Sequence, residues 1–224
     1  MSAKLAPALV AVALCTALTT AGCSRGPHAA QPVPAAQTAA PALHTTGWVV
    51  TGGRVSVLVR NVGNSAIGSA RAVISGRDRH GNVVASISGA QCCTVTGLVP
   101  GATAGIYADL GPAAQRVTVL TVHWTGADPA MSPPLSVQIA DVGMRAGRDR
   151  TVVTASLTSS TARAVRTQAI LRSPTGALVA VLTGTPTCLA AGQHQPATMR
   201  VAQVLPPGTI VESITTYPVA DAAC

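Results

Sequence analysis

Val55, Val57 and Val59 alternate along the chain with Ser56, Leu58 and Arg60, the two-residue period of a strand that turns one face inward. Short Val-rich runs of this kind recur after Gly47, separated by Gly, Pro, Asn and Ser. They cover residues 70–77, 83–88, 104–109 and 117–124, then 135–140, 152–157, 163–172, 177–182, 198–202 and 210–217. Strands at such spacing, with turn residues between them, predict an all-β protein built as a sandwich.

The two series match each other. A shift of 95 residues aligns Arg71 with Arg166, Arg77 with Arg172, Gly81 with Gly176, Val84 with Val179, Ala85 with Ala180, Gly89 with Gly184 and Cys93 with Cys188. These are seven identities in 23 ungapped positions, where this composition would give about two by chance. Each matched window reads as a hairpin, because Asp78-Arg79-His80-Gly81-Asn82 and Ser173-Pro174-Thr175-Gly176 supply residues that tolerate tight turns. The expectation is two tandem immunoglobulin-like β-sandwiches, residues 47–126 and 135–224, with the proline-bearing stretch Gly126 to Pro134 as their boundary.

Ahead of them the pattern differs. Lys4 is followed by an apolar stretch from Leu5 to Leu18 and then by Thr19-Thr20-Ala21-Gly22-Cys23. That order of charged, apolar and small residues predicts a secretory leader over 1–22, and its apolar part is too short for an ordinary transmembrane helix of about 20 residues. Ala21-Gly22-Cys23 also resembles the bacterial lipobox, with Thr20 where that pattern prefers Leu, Val or Ile. The resemblance implies cleavage before Cys23 and a diacylglycerol on its sulfur, each buried methylene of which is worth about 0.8 kcal/mol to the anchor. Residues 23–46 hold four prolines and no apolar period, which predicts a disordered tether reaching about 70 Å when extended. His28 and His44 then read as solvated linker residues.

A second resemblance rests on Asn61-Val62-Gly63-Asn64-Ser65, the strand from Ala70 to Ser75, Asp78-Arg79-His80-Gly81-Asn82-Val83-Val84 and Leu98-Val99-Pro100-Gly101. Together these are similar to the FxLYD-type domain of bacterial envelope proteins, although Ile74-Ser75-Gly76 stands where that family carries Phe and Tyr. The resemblance implies an immunoglobulin-like sandwich in a membrane-anchored lipoprotein without a general enzymatic role.

Composition narrows the function further. With no Phe, two Trp and two Tyr, burial falls to Val, Ile, Leu and Ala, which make poor ligand-gripping pockets. Lys4 is the sole lysine, and the arginines past Cys23 outweigh the seven acids to leave a charge of about +7 there. Nucleotide bias explains Arg over Lys, yet the charge would still attract anionic head groups or wall polymers within about a Debye length. Nucleic acid is excluded as a partner, because the arginines are scattered and aromatics for base stacking are scarce. Arg71, Arg77, Arg166 and Arg172 fall at equivalent positions and form a candidate polar interaction face. Arginine there would also serve simply to keep an outward strand face soluble.

Four cysteines remain beyond Cys23. Cys188 and Cys224 are the candidate disulfide, closing a loop whose constraint is worth roughly 4 kcal/mol. Cys92 and Cys93 stay open between a redox switch, a metal thiolate pair, structural pairing and free thiols; neighbouring Cα atoms about 3.8 Å apart lie below the usual disulfide range. His80, His123 and His194 are isolated, no zinc spacing is present, and the acids form no suggestive pair. These observations predict no metal, no cofactor and no catalytic residue. The resulting expectation is a noncatalytic lipoprotein on the outer face of the cytoplasmic membrane, contacting another envelope protein or an anionic wall polymer. The alternative is an envelope hydrolase or thiol redox protein with a loop-built site.

Overall fold

Strands need partners for their backbone and cover for their apolar face, and both are met here by antiparallel sheets stacked in pairs. The computed structural model describes residues 42–89, 92–129 and 136–219, all within one compact unit. The first half carries β1 (Leu43–Thr51), β2 (Arg54–Asn61), β3 (Ile67–Arg77), β4 (Val83–Ser88), β5 (Thr94–Leu98), β6 (Thr103–Asp109) and β7 (Val119–Pro129). The second carries β8 (Val137–Ala146), β9 (Thr151–Ser159), β10 (Arg163–Arg172), β11 (Leu178–Thr183), β12 (Thr187–Leu189), β13 (His194–Val201) and β14 (Ile210–Pro218).

The two halves repeat one topology. In the first, β2 lies between β1 and β6, while β3 takes β7 along one side and shares the other between β4 and β5. In the second, β9 lies between β8 and β13, while β10 takes β14 on one side and β11 and β12 on the other. A single 3-10 turn, Gly111–Arg116, connects β6 to β7. The expected all-β tandem sandwich is therefore the architecture observed.

The alternation read in the sequence becomes the core. Val55, Val57 and Val59 are each fully buried between the sheets of the first half, with Ile106 beside Val57 on β6 and Ile74 on the opposing sheet. The second half packs Val153, Leu171, Leu182 and Met199 in one cluster and Leu157, Val165 and Leu189 in another, with Ile214 touching both. Leu58 points the opposite way from its valine neighbours and is still only 4% exposed, because it packs on Ile170 and Val181 of the second half. The three-stranded sheet of the first half thus docks on the four-stranded sheet of the second. Gly105 permits the close approach, since a Cβ there would lie 2.4 Å from a Val181 methyl.

Several boundaries move. β1 starts at Leu43, inside the stretch expected to be tether, and His44 sits in that strand opposite Arg60. β7 runs to Pro129, into the expected boundary at Gly126 to Pro134, of which residues 130–134 lie outside the described part. The pairing of Cys93 with Cys188 in the repeat does not survive the register. Cys188 faces Ala164, the counterpart of Ser69, and Ser69 faces Thr96, whereas Cys93 precedes β5. By register Thr187 takes the place of Val95, so the offset between the repeats falls from 95 to 92 across this connection. Residues 1–22, expected to be a leader, and Cys23, His28 and Cys224 all lie outside the described residues.

Candidate functional site

The four repeated arginines separate into two pairs with different surroundings. Arg77 donates from Nη1 to the Gly81 carbonyl at 2.7 Å, and Arg172 donates equivalently to the Gly176 carbonyl at 2.8 Å. Each clips its own hairpin, and Arg172 also pairs with Glu212 at 2.7 Å. Arg71 and Arg166, six residues earlier on β3 and β10, instead reach the walls of one cleft of about 320 Å³ between the two halves. They are the two members of the expected face that the fold brings together.

The cleft is bounded on one side by β6, an edge strand whose outward backbone groups need partners. Gln168 supplies one set: its Oε1 accepts from Gly105 N at 2.6 Å and its Nε2 donates to Gly105 O at 2.7 Å, so a side-chain amide substitutes for a neighbouring strand. The next outward N–H, that of Tyr107, donates to Cys92 O at 3.1 Å. The carbonyl of Cys93 accepts from Ala72 N at 2.8 Å. Adjacent carbonyls of this turn therefore hold the two sheets of the first half together.

Cys92 and Cys93 are bonded to each other, so they are neither free thiols nor partners of Cys188. Cys93 is fully buried, whereas Cys92 forms part of the cleft wall. Cys188 is disulfide-bonded as well, and Cys224, its expected partner, lies outside the described residues. Opposite Cys92, the Tyr217 hydroxyl donates to Gln168 Oε1 at 3.3 Å and accepts from Thr215 at 2.9 Å. Burial pushes the Tyr217 phenol above its usual range against the opposing effect of the Thr215 hydrogen bond.

The remaining polar residues have local tasks. Asp78 Oδ1 accepts from the backbone of His80 at 2.9 Å and of Asn82 at 3.0 Å. Desolvation would raise its carboxyl, but these bonds, the Asn82 side chain and the His80 charge together hold it below the ordinary value. Arg54 forms a two-point pair with Asp109 at 2.7 and 3.1 Å and lies over the Tyr107 ring. His80 receives a bond from Arg79, His194 meets Thr158 at 2.9 Å, and His123 sits opposite Val73 on β7. Among the described residues no three potential metal ligands cluster, and no helix is long and apolar enough to cross a membrane.

Sequence reasoning missed Gln168, Tyr217 and Thr94 as cleft residues. Their position depends on how the halves dock, and the available signal was an outward Leu58 and Ile170 in strands whose opposite face already filled the core. No known family model matches the chain, and no curated protein is significantly similar to it.

Proposed function

We propose that this protein is a noncatalytic cell-envelope lipoprotein, held to the outer face of the cytoplasmic membrane through Cys23, whose paired β-sandwiches act as an interaction module. The observation that carries the reading is the leader itself: Lys4, the apolar run from Leu5 to Leu18 and Ala21-Gly22-Cys23. The first described strand begins at Leu43, leaving a proline-bearing spacer between the acyl-acceptor cysteine and the folded body. The buried contact between halves supports a single stiff unit rather than two beads on a string. The FxLYD-type likeness points the same way, and Asn61 gives it a physical basis. Its side chain is buried, donates to Ser65 O and Leu98 O, and accepts from Gly63 N, so it shapes the break after β2.

Metabolic labelling with a fatty acid tests the proposal. The wild-type chain should take up label and partition with membranes, and Cys23→Ser should lose both. Label retained by Cys23→Ser, or a full-length unlabelled chain found inside the cell, would overturn it.

A further inference from the structure

The cleft between the halves collects two guanidinium groups. Arg71 and Arg166 occupy repeated positions, but docking of one half's outward sheet face on the other brings both to a single cavity. Like charges that line one cavity repel each other, and a bound anion would offset that repulsion. Among the described residues neither guanidinium has an ion pair or a hydrogen bond, in contrast to Arg54, Arg77 and Arg172. Asp128 borders a neighbouring shallow depression with Arg71 but makes no ion pair with it.

The other walls fit the same class of ligand. Ser69, Thr94, Thr96 and Thr183 place hydroxyls around the cavity, and Thr94 Oγ1 is buried without a hydrogen-bond partner among the described residues. An unsatisfied buried hydroxyl is unusual in a folded protein and marks a place where polar capacity is left unused. Val95, Ala104 and Cys92 add an apolar, polarizable surface beside the charges. A volume of about 320 Å³ lies at the small end of ligand cavities, which suits a compact molecule.

We infer that this cleft binds a phosphate-bearing ligand, with Arg71 and Arg166 gripping the phosphate oxygens and the hydroxyls completing their coordination. A phosphate monoester offers up to two charges and three unesterified oxygens, and a head-group diester offers one charge and two unesterified oxygens, which planar guanidinium forks can grip in pairs. The ligand is either a soluble phosphate ester or the phosphate of a lipid head group. The inference does not depend on acylation of Cys23, so it stands or falls separately from the lipoprotein reading.

The test is calorimetric titration of the full-length chain in neutral detergent with glycerol 3-phosphate, and sedimentation of the chain with vesicles of phosphatidylglycerol or phosphatidylcholine. Saturable binding of glycerol 3-phosphate is expected for a soluble ligand. Preference for phosphatidylglycerol with no binding of the free ester is expected for a head group. In either case Arg71→Gln and Arg166→Gln should each weaken binding about tenfold or more, and the double variant should abolish it. Arg200→Gln, which removes the same charge from β13, should leave binding unchanged. Failure of both probes to bind, or an Arg200→Gln loss equal to that of the cleft variants, overturns the inference.

Discussion

The two sandwiches share a strand order but differ on the faces they turn outward. In the second half the outer face of β10 and β11 carries Ile170 and Val181, which pack on Leu58. At the matching positions of the first half stand Ser75 and Ser86, whose hydroxyls bond to each other at 3.1 Å. Leu58 in turn corresponds to Ser156, since Asn61 and Ser159 end β2 and β9 and accept equivalent backbone bonds from Gly101 and Gly192, both 2.8 Å. Each half is therefore apolar on the face that docks and polar on the face that is free. A repeat unit that presented both apolar faces could keep adding copies; this asymmetry closes the pair at two.

Exchanging residues between halves breaks that comparison at defined points. The largest effect is expected for Leu58→Ser, which installs the second half's residue at the junction. It removes an isobutyl group from between Ile170 and Val181 and buries a hydroxyl there, at a cost of about 3–4 kcal/mol. Chemical denaturation should then separate one cooperative transition into two, as the halves lose their coupling. Ser156→Leu on the free face should cost little stability but expose a new apolar contact and promote self-association, read by sedimentation velocity.

Gln168→Val follows, installing the residue found at the equivalent Val73. The variant leaves both Gly105 N and Gly105 O without the amide that now pairs them at 2.6 and 2.7 Å. A loss of about 2–3 kcal/mol is expected, together with faster hydrogen exchange at the Gly105 amide. The converse change, Val73→Gln on the free outer face, should be close to neutral in the same denaturation assay. Equal effects at the two sites would show that the Gln168 bridge is not what seals the edge of β6.

The sequence made some of this comparison visible and hid the rest for physical reasons. Alternation at Val55, Val57 and Val59 needs no tertiary knowledge, and the hairpin from β3 to β4 is marked by an Asp-to-Asn turn with Gly81 at φ 83°. Its repeat at Gly176 has the same φ of 83°, so the glycine identity in the alignment reflects a shared backbone demand. β1 was hidden because His44, Thr45 and Thr46 carry no apolar alternation, and a bulge between Thr45 and Gly47 shifts its register. β5 and β12 are too short to show a period, and their strand character comes from lying against β3 and β10. The cleft was hidden most completely. Arg71 and Arg166 were legible as equivalents, but equivalence in a repeat puts residues on corresponding faces, not in one cavity. Only the docking at Leu58 joins them.

Asn61→Ser is a milder exchange. Ser159, the counterpart, accepts one bond from Thr161 N at 3.3 Å, whereas Asn61 also donates to Ser65 O and Leu98 O at 2.9 and 3.0 Å. The shorter side chain cannot span both carbonyls, and a loss of about 1–2 kcal/mol in thermal or chemical unfolding is expected.

The smallest effect concerns acid. Asp78 and Ser173 head equivalent turns, in which Gly81 N donates to Asp78 O at 3.0 Å and Gly176 N to Ser173 O at 2.9 Å. The ionised Asp78 carboxylate additionally accepts from His80 N and Asn82 N, while the neutral Ser173 hydroxyl accepts from Ala177 N at 3.2 Å. Because folding lowers the Asp78 pKa, the unfolded chain binds its proton more readily. Its contribution is therefore fully present above the unfolded value of about 4 and is lost as pH falls through the folded one. An NMR titration from about pH 5 to pH 2 should move the His80 and Asn82 amides while the Ala177 amide stays flat. Asp78→Ser, which gives the first turn the second turn's residue, should abolish that movement and leave both hairpins insensitive to acid. An unchanged titration of the His80 and Asn82 amides in Asp78→Ser would show that the acid response does not come from the Asp78 carboxylate.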